Sequence, residues 1–279
     1  MSKMISTPSY TKEILAKYDL RAKKGFGQNF LVDPVIVEKC AELSHCEGAV
    51  IEIGPGIGSL TEGLARHSKK VVSYEVDEKL IPVLADTLQA YDNVEIILQD
   101  FLKCDLRSKV DELEKEYGTV SVCANLPYYI TTPVLFRLFE ETPDISYITV
   151  MVQKEVADRF LAQPNSAEYS SLSVEAQYLY TIRKLFNVPA RSFNPSPRVD
   201  SVIIQFERKD VKESNEEINA FFTFAKAAFK QRRKTIYNNL KEYYGDKTLQ
   251  ILEKAGVDPT KRAQEFSCEE LRQLFGVKL

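Results

Sequence analysis

No run of the 279-residue chain is apolar for long enough to cross a bilayer. The longest such run lies around Tyr147 to Val152, a fraction of the roughly 20 residues that a spanning helix needs. No N-terminal stretch couples basic residues to an apolar segment, so no export signal is expected. Cysteine is sparse and unpaired in pattern: Cys40, Cys46, Cys104, Cys123 and Cys268 are odd in number, scattered, and free of CxxC or Cys/His ligand spacing. That excludes a disulfide framework and a zinc site, and fits reduced thiols in a cytoplasmic protein that meets no membrane. Excess positive charge is also lacking. A net charge of −3 excludes a protein that coats nucleic acid through bulk electrostatics, so any such contact must come from local patches. Internal repeats and low-complexity tracts are absent as well.

What remains is a chain, 44% hydrophobic, able to bury a full core, and longer than one compact domain usually is. From residue 49 onward, short β-branched runs alternate with amphipathic helical patterns, the mark of a parallel sheet with crossover helices. Strands are expected near 49–53, 70–75, 93–98, 119–124 and 146–152, with helices such as Ser59–His67, Glu78–Tyr91 and 153–162 between them. The polar stretch Gln163 to Ser171, with Pro164, is expected to be a loop. Strand-like pieces near 181–188 and 200–207 complete a mostly parallel sheet of seven strands. After about Asp210 only helical periodicity with charged faces continues. We therefore expect an α/β domain over residues 1–209 and a small all-helical domain over 210–279.

The first strand runs into Glu52-Ile53-Gly54-Pro55-Gly56-Ile57-Gly58, followed at once by a helix beginning at Ser59. Glycines such as Gly54 and Gly56 permit a sharp turn and close approach of a ligand to the main chain. A nicotinamide fingerprint, GxGxxG, would need glycine where Ser59 stands. Glu52 would also repel a pyrophosphate, whereas it can attract the ammonium of an amino-acid moiety. These features favour S-adenosylmethionine over a dinucleotide, and with it a Rossmann-like methyltransferase sheet. Glu75, ending the second strand, can accept both hydrogen bonds of a ribose diol. Asp100, ending the third, can accept a bond from an adenine amine. Each alone is more commonly a surface acid or helix cap. Their placement at successive strand ends is what carries the cofactor expectation, because open α/β sheets bind ligands there.

The fourth strand leads into Asn125-Leu126-Pro127-Tyr128-Tyr129. The nitrogen lone pair of an adenine amine is delocalised into the ring and attacks a sulfonium methyl poorly. Acceptors for its N–H groups would localise that lone pair and aim it. Asn125 offers a side-chain carbonyl; Pro127 biases Leu126 to extended backbone, which can turn the Leu126 carbonyl inward as a second acceptor. Tyr128 offers a ring on which a base can stack. Positioning should supply much of the acceleration, with no need of a metal or a cysteine nucleophile.

Two basic stretches stand out in the acidic chain. One, over 225–241, holds Lys226, Lys230, Arg232, Arg233, Lys234 and Lys241 with no acid between them; the other is the arm carrying Lys12, Lys17, Arg21, Lys23 and Lys24. Such runs are more often solvated helix faces than binding surfaces. We nevertheless assign Lys230, Arg232, Arg233 and Lys234, expected to be helical, to RNA phosphates.

Taken together, Gly27-Gln28-Asn29-Phe30-Leu31, Glu52 to Gly58, Asn125 to Ile130, Phe193 to Ser201 and Phe229 to Thr235 resemble the ribosomal RNA adenine N6,N6-dimethyltransferase family, in its small-subunit branch. The resemblance spans nearly the whole chain. It implies dimethylation of two adjacent adenosines in the 3′-terminal hairpin loop of small-subunit (16S) ribosomal RNA, late in assembly of that subunit; a monomer is expected. It also implies that Asn29 and Leu31 join Gly54, Glu75, Asp100 and Asn125 in holding the cofactor. Phe193 matches the family's second aromatic, facing Tyr128 across a target base that must leave its stack. Two rivals remain: the sister branch acting on large-subunit RNA, and a non-catalytic RNA-binding assembly factor.

Overall fold

A computed structural model describes residues 3–20, 29–142 and 145–278. Gly27 and Gln28 of the first motif, and Arg21, Lys23 and Lys24 of the basic arm, lie outside the described residues.

The described chain forms, in order, α1 (Pro8–Lys17), β1 (Phe30–Leu31), α2 (Pro34–Glu42), β2 (Ala49–Ile53), α3 (Ser59–His67), β3 (Lys70–Glu75), α4 (Ile81–Thr87), β4 (Val94–Leu98), α5 (Leu106–Tyr117), β5 (Val120–Asn125), α6 (Thr131–Glu141) and β6 (Tyr147–Gln153). There follow α7 (Lys154–Leu161), α8 (Ser171–Leu179), β7 (Tyr180–Val188), β8 (Phe193–Asn194), β9 (Ser201–Arg208), α9 (Asn215–Ala228), α10 (Ile236–Tyr244), α11 (Thr248–Lys254) and α12 (Cys268–Phe275).

Seven strands make one sheet in the order β4-β3-β2-β5-β6-β9-β7. The pairs from β4 to β6 are parallel, and β9 runs antiparallel to β6. Because β2 and β5 are buried along most of their length, they read as near-continuous apolar runs, Ala-Val-Ile and Val-Ser-Val-Cys-Ala. Sequence order reverses across the β2–β5 pair. Their ladder holds only three register pairs, Ala49↔Val120 to Ile51↔Val122, while β2–β3 continues to Ile53↔Tyr74 and β5–β6 to Asn125↔Met151. The carboxyl ends of β2 and β5 therefore part, and a crevice opens at the switch point of the sheet.

Helices fit this sheet as the sequence leads one to expect, with one shortening. The helix expected over Glu78–Tyr91 is a 3₁₀ turn, Glu78–Leu80, followed by α4, which ends at Thr87. Pro82 sits in the first turn of α4, where its missing N–H costs nothing, so the helix begins at Ile81 instead of at Glu78.

The chain divides into two compact units, residues 1–154 with 183–208, and residues 155–182 with 209–279. This differs from the expected division, in which 155–182 fell with the larger domain. The cause is α8, which is buried nearly all round: Leu172, Ser173, Val174, Glu175, Ala176, Tyr178 and Leu179 are buried, and only Ser171 and Gln177 are partly exposed. Tyr178 packs its ring 4.5 Å from that of Phe221 and 6.3 Å from that of Phe222, both on α9. Phe224, Tyr244 and Phe275 extend the same aromatic core. Reciprocal capping boxes, Ser214 with Glu217 and Ser267 with Glu270, start α9 and α12.

Candidate active site

Gly54 and Gly56 carry the chain out of β2 with φ of +72° and +61°, a region that side chains with a Cβ rarely enter. Gly54 donates its N–H to the Tyr74 carbonyl on β3, which fixes the turn to the neighbouring strand. A Cβ built on Gly56 would lie 3.4 Å from the ring of Phe30, so β1 approaches this turn closely. On the other side, Pro127 comes within 3.8 Å of where a Gly54 Cβ would be. The two halves of the crevice are thus brought together over glycine.

The crevice is a cavity of about 230 Å³. Its lining includes Asn29, Leu31, Glu52, Gly54, Gly56, Glu75, Asp100, Asn125, Leu126, Pro127, Tyr128 and Phe193, so the residues expected to hold cofactor and base share one chamber. Lys230, Arg232, Arg233 and Lys234 are not part of it.

Glu52 is 1% exposed, and its Oε2 accepts hydrogen bonds from Thr61 Oγ1 and Ser73 Oγ, both at 2.7 Å. Burial pushes its carboxyl up to about 7, helped by the nearby charge of Glu75 and opposed by the Ser73 and Thr61 hydroxyls. These hydroxyls were missed in the sequence. Ser73 carried a signal: it is a small polar residue within the run Val71-Val72-Ser73-Tyr74, and its register partner is Glu52. Glu75 is also buried, and its Oε1 accepts the N–H groups of Val76 and Asp77, both at 2.8 Å. Burial raises its proton affinity despite these bonds. Asp100 is half-buried; its Oδ1 takes the Leu102 N–H at 3.0 Å, with Lys103 Nζ 3.6 Å from its Oδ2. Both carboxylates are therefore oriented by their own following turns.

Asn125 ends β5. Its Nδ2 points at the Asn29 carbonyl, 3.5 Å away, which spends the amide's donor end on the protein and leaves its carbonyl end as the acceptor. Leu126 donates its N–H to the Met151 carbonyl at 3.3 Å, whereas its own carbonyl takes no hydrogen bond from any described residue. The Pro127 carbonyl, by contrast, is taken by Ile130 N–H and Thr131 Oγ1. Tyr128 Oη lies 3.3 Å from Ser201 Oγ, so the ring is tethered at its far end. Phe193 is buried in β8, as register partner of Leu31 in an antiparallel ribbon of two pairs. Asp33 pins that ribbon: it caps α2 through Val35 and Ile36 N–H, and its other oxygen accepts from Ser192 Oγ at 2.9 Å. Neither Tyr128 nor Phe193 stacks on another ring among the described residues.

The basic segment departs from expectation. Residues 230–234 are a turn between α9 and α10, because Thr235 caps α10 and the buried Asn239 plugs the turn. Asn239 donates to the Ala228 and Gln231 carbonyls and accepts from the Gln231 N–H. All five residues of the turn are exposed. Arg232 is engaged locally, donating to the Tyr169 carbonyl at 2.9 Å and the Ser166 carbonyl at 3.0 Å, and Lys230 pairs with Glu242. Arg233 and Lys234 have no ion pair among the described residues.

A doubly wound sheet whose first strand ends in a glycine turn, with carboxylates ending the next two strands, is the frame of an S-adenosylmethionine-dependent methyltransferase. The family model described as ribosomal RNA adenine dimethylase matches residues 19–278. Ribosomal RNA small subunit methyltransferase A of Staphylococcus epidermidis is 45% identical over 285 residues, covering 99% of this chain and 96% of that protein. Among solved structures, a dimethyladenosine transferase from Plasmodium falciparum is similar at 25% identity and a TM-score of 0.73, over 88% of this chain and 95% of that one. The 23S rRNA methyltransferase ErmE is similar at 26% identity and a TM-score of 0.69, over 88% and 98%. The chain belongs to the ribosomal RNA adenine dimethylase family, and is an rRNA adenine dimethyltransferase that uses S-adenosylmethionine.

Proposed function

We propose that the chain dimethylates the N6 amines of two adjacent adenosines in the 3′-terminal hairpin loop of small-subunit ribosomal RNA, acting as a cytoplasmic monomer during assembly of that subunit. The observation that carries this reading is the pair of unspent acceptors at the end of β5: the Asn125 side-chain carbonyl and the Leu126 main-chain carbonyl, both on the cavity wall. They accept the two N–H groups of the amine, localise its lone pair and aim it. Tyr128 and Phe193 clasp the faces of the base. In the same cavity Glu75 holds the ribose diol of the cofactor, Asp100 its adenine amine, and Glu52 its ammonium. Asn29, Leu31, Gly54 and Gly56 shape the wall around it, and Pro127 sets the backbone of Leu126. Bound S-adenosylmethionine supplies the electrophilic methyl. The choice of small-subunit RNA is supported by the 45% identical staphylococcal relative, whose name specifies that subunit. Arg233 and Lys234 hold RNA phosphates from the turn of the second unit; Arg232 and Lys230 share that role only to the extent that their local partners release them.

The test is mass spectrometry of adenosines after incubating the protein with undermethylated small subunits and cofactor. Dimethyladenosine at two adjacent positions is expected. Methylation confined to large subunits would overturn the choice of RNA in favour of a second reading, which the likeness to the 23S rRNA methyltransferase supports.

A further inference from the structure

Three exposed cations of the first unit gather where β6 ends. The antiparallel ladder between β6 and β9 closes on Gln153↔Ser201, so Lys154 and Asp200 face each other just beyond it, joined by the Lys154 N–H to the Asp200 carbonyl at 3.3 Å. Asp200 Oδ1 accepts the Ala190 N–H at 2.8 Å, which brings the following residue, Arg191, to the same place. Arg198 precedes Asp200 by two residues. Lys154, Arg191 and Arg198 are all exposed. None is paired with an acidic side chain among the described residues, whereas Arg66, Lys70, Lys109 and Arg183 of the same unit each are.

This cluster sits at the carboxyl edge of the sheet, the edge on which the cavity opens, since β5 and β6 are parallel and Asn125 pairs with Met151. Two links tie it to the base slot. Ser201, next to Asp200, meets the hydroxyl of Tyr128, and Phe193 lies in the chain between Arg191 and Arg198. An adenosine drawn into the cavity carries its own flanking phosphates to that rim. Phosphate contacts fix the register of a strand without reading its sequence, and exposed guanidinium groups match phosphate geometry.

We propose that Lys154, Arg191 and Arg198 form a cradle for the RNA phosphates on either side of the target adenosine. The inference rests on the RNA-methylating reading above, and assigns to the first unit a phosphate grip separate from the basic turn of the second. With the grip in place, the unstacked base is held by its backbone as well as by Tyr128 and Phe193.

The experiment replaces the three residues together by glutamine and measures binding to ribosomal subunits at several salt concentrations, beside cofactor affinity and a melting curve. We expect the dependence of log affinity on log salt to become shallower by about two to three, roughly one per lost contact. Cofactor affinity and melting temperature should match wild type, and the loss in methylation should fall mainly on KM. The charge-keeping variant Lys154→Arg, Arg191→Lys, Arg198→Lys should retain the wild-type slope. A triple glutamine variant with the wild-type slope overturns the cradle. Running wild type and variant on both subunits separates the two readings: methylation of large subunits alone defeats the choice of RNA, while the slopes on that RNA still decide the cradle. A wild type that binds neither subunit in a salt-dependent way defeats both.

Discussion

Asn125 stands half-buried at a strand end with its amide nitrogen on the carbonyl of Asn29, just before β1, whereas Arg233 stands in solvent on a turn with no acidic partner among the described residues. The cavity and the basic turn hold their polar groups by opposite means. In the cavity, orientation comes from the fold: strand ends, glycine turns, and hydrogen bonds that use up one end of each side chain and leave the other to act. In the turn, the backbone is fixed by the Asn239 plug while the cations stay exposed. Removing a group from the first should therefore cost rate or ligand specificity; removing one from the second should cost little except in salt-dependent binding.

The largest effect that tests this contrast is at Asn125. By comparison with loss of one preorganised polar contact, Asn125→Ala should slow single-turnover methyl transfer by about 10² to 10³-fold, with RNA affinity little changed. A rate within a few-fold of wild type would remove the side-chain acceptor from the mechanism.

A smaller effect divides the basic turn within itself. Arg232→Gln gives up hydrogen bonds to the Tyr169 and Ser166 carbonyls. It should lower the melting temperature, at a cost of about 1 kcal/mol per neutral bond or somewhat more for a charged donor, discounted for exposure. Arg233→Gln with Lys234→Gln should leave melting unchanged and flatten the salt dependence of subunit binding by up to about two. If all three behave alike, the turn is one surface and the local bonds of Arg232 count for nothing.

The smallest effect is a proton. With its carboxyl pushed to about 7 by burial, Glu52 keeps its proton in the folded protein over a range where, unfolded, it would ionise near 4.5. The folded state binds the extra proton, so stability from this group is present at low pH and is lost as pH rises from about 4.5 through 7. A cofactor ammonium beside it favours the ionised form. Calorimetry at pH 7 in buffers of different ionisation enthalpy should then show release of up to about half a proton on cofactor binding, and none in Glu52→Gln. No buffer dependence in the wild type would place the ammonium elsewhere.

Most of the sheet was legible because buried parallel strands announce themselves as β-branched runs, and β2 to β6 fall within a residue of where the runs place them. The cavity lining was legible for a related reason: strand ends are where such sheets bind, so acids at successive strand ends mark one site in the sequence itself. What escaped has no periodic signature. Thr61 and Ser73 act on Glu52 through space, and Asp33 joins segments 159 residues apart. Residues 155–182 escaped because α8, whose Ser173 and Glu175 are buried along with its apolar residues, lacks the exposed charged face by which an amphipathic helix shows in a sequence. The turn at 230–234 was mistaken for helix since lysine, arginine and glutamine favour helices. The opposing sign was Thr235, a capping residue placed immediately before the apolar Ile236.

The two-pair ribbon of β1 and β8 has a bearing on how the enzyme is made. Leu31 and Phe193 are separated by most of the first unit's length, yet each is the other's strand partner. During synthesis, a chain that has emerged only as far as β6 already carries Glu52, Glu75, Asp100 and Asn125, but the cavity has one aromatic wall and no ribbon. Phe193, the anchoring Ser192 and the tyrosine tether Ser201 all arrive within the same ten residues. The cavity wall is thus finished by a late segment of the chain, and a ribosome must translate past Ser201 before both of the rings proposed to clasp the base are in the chain.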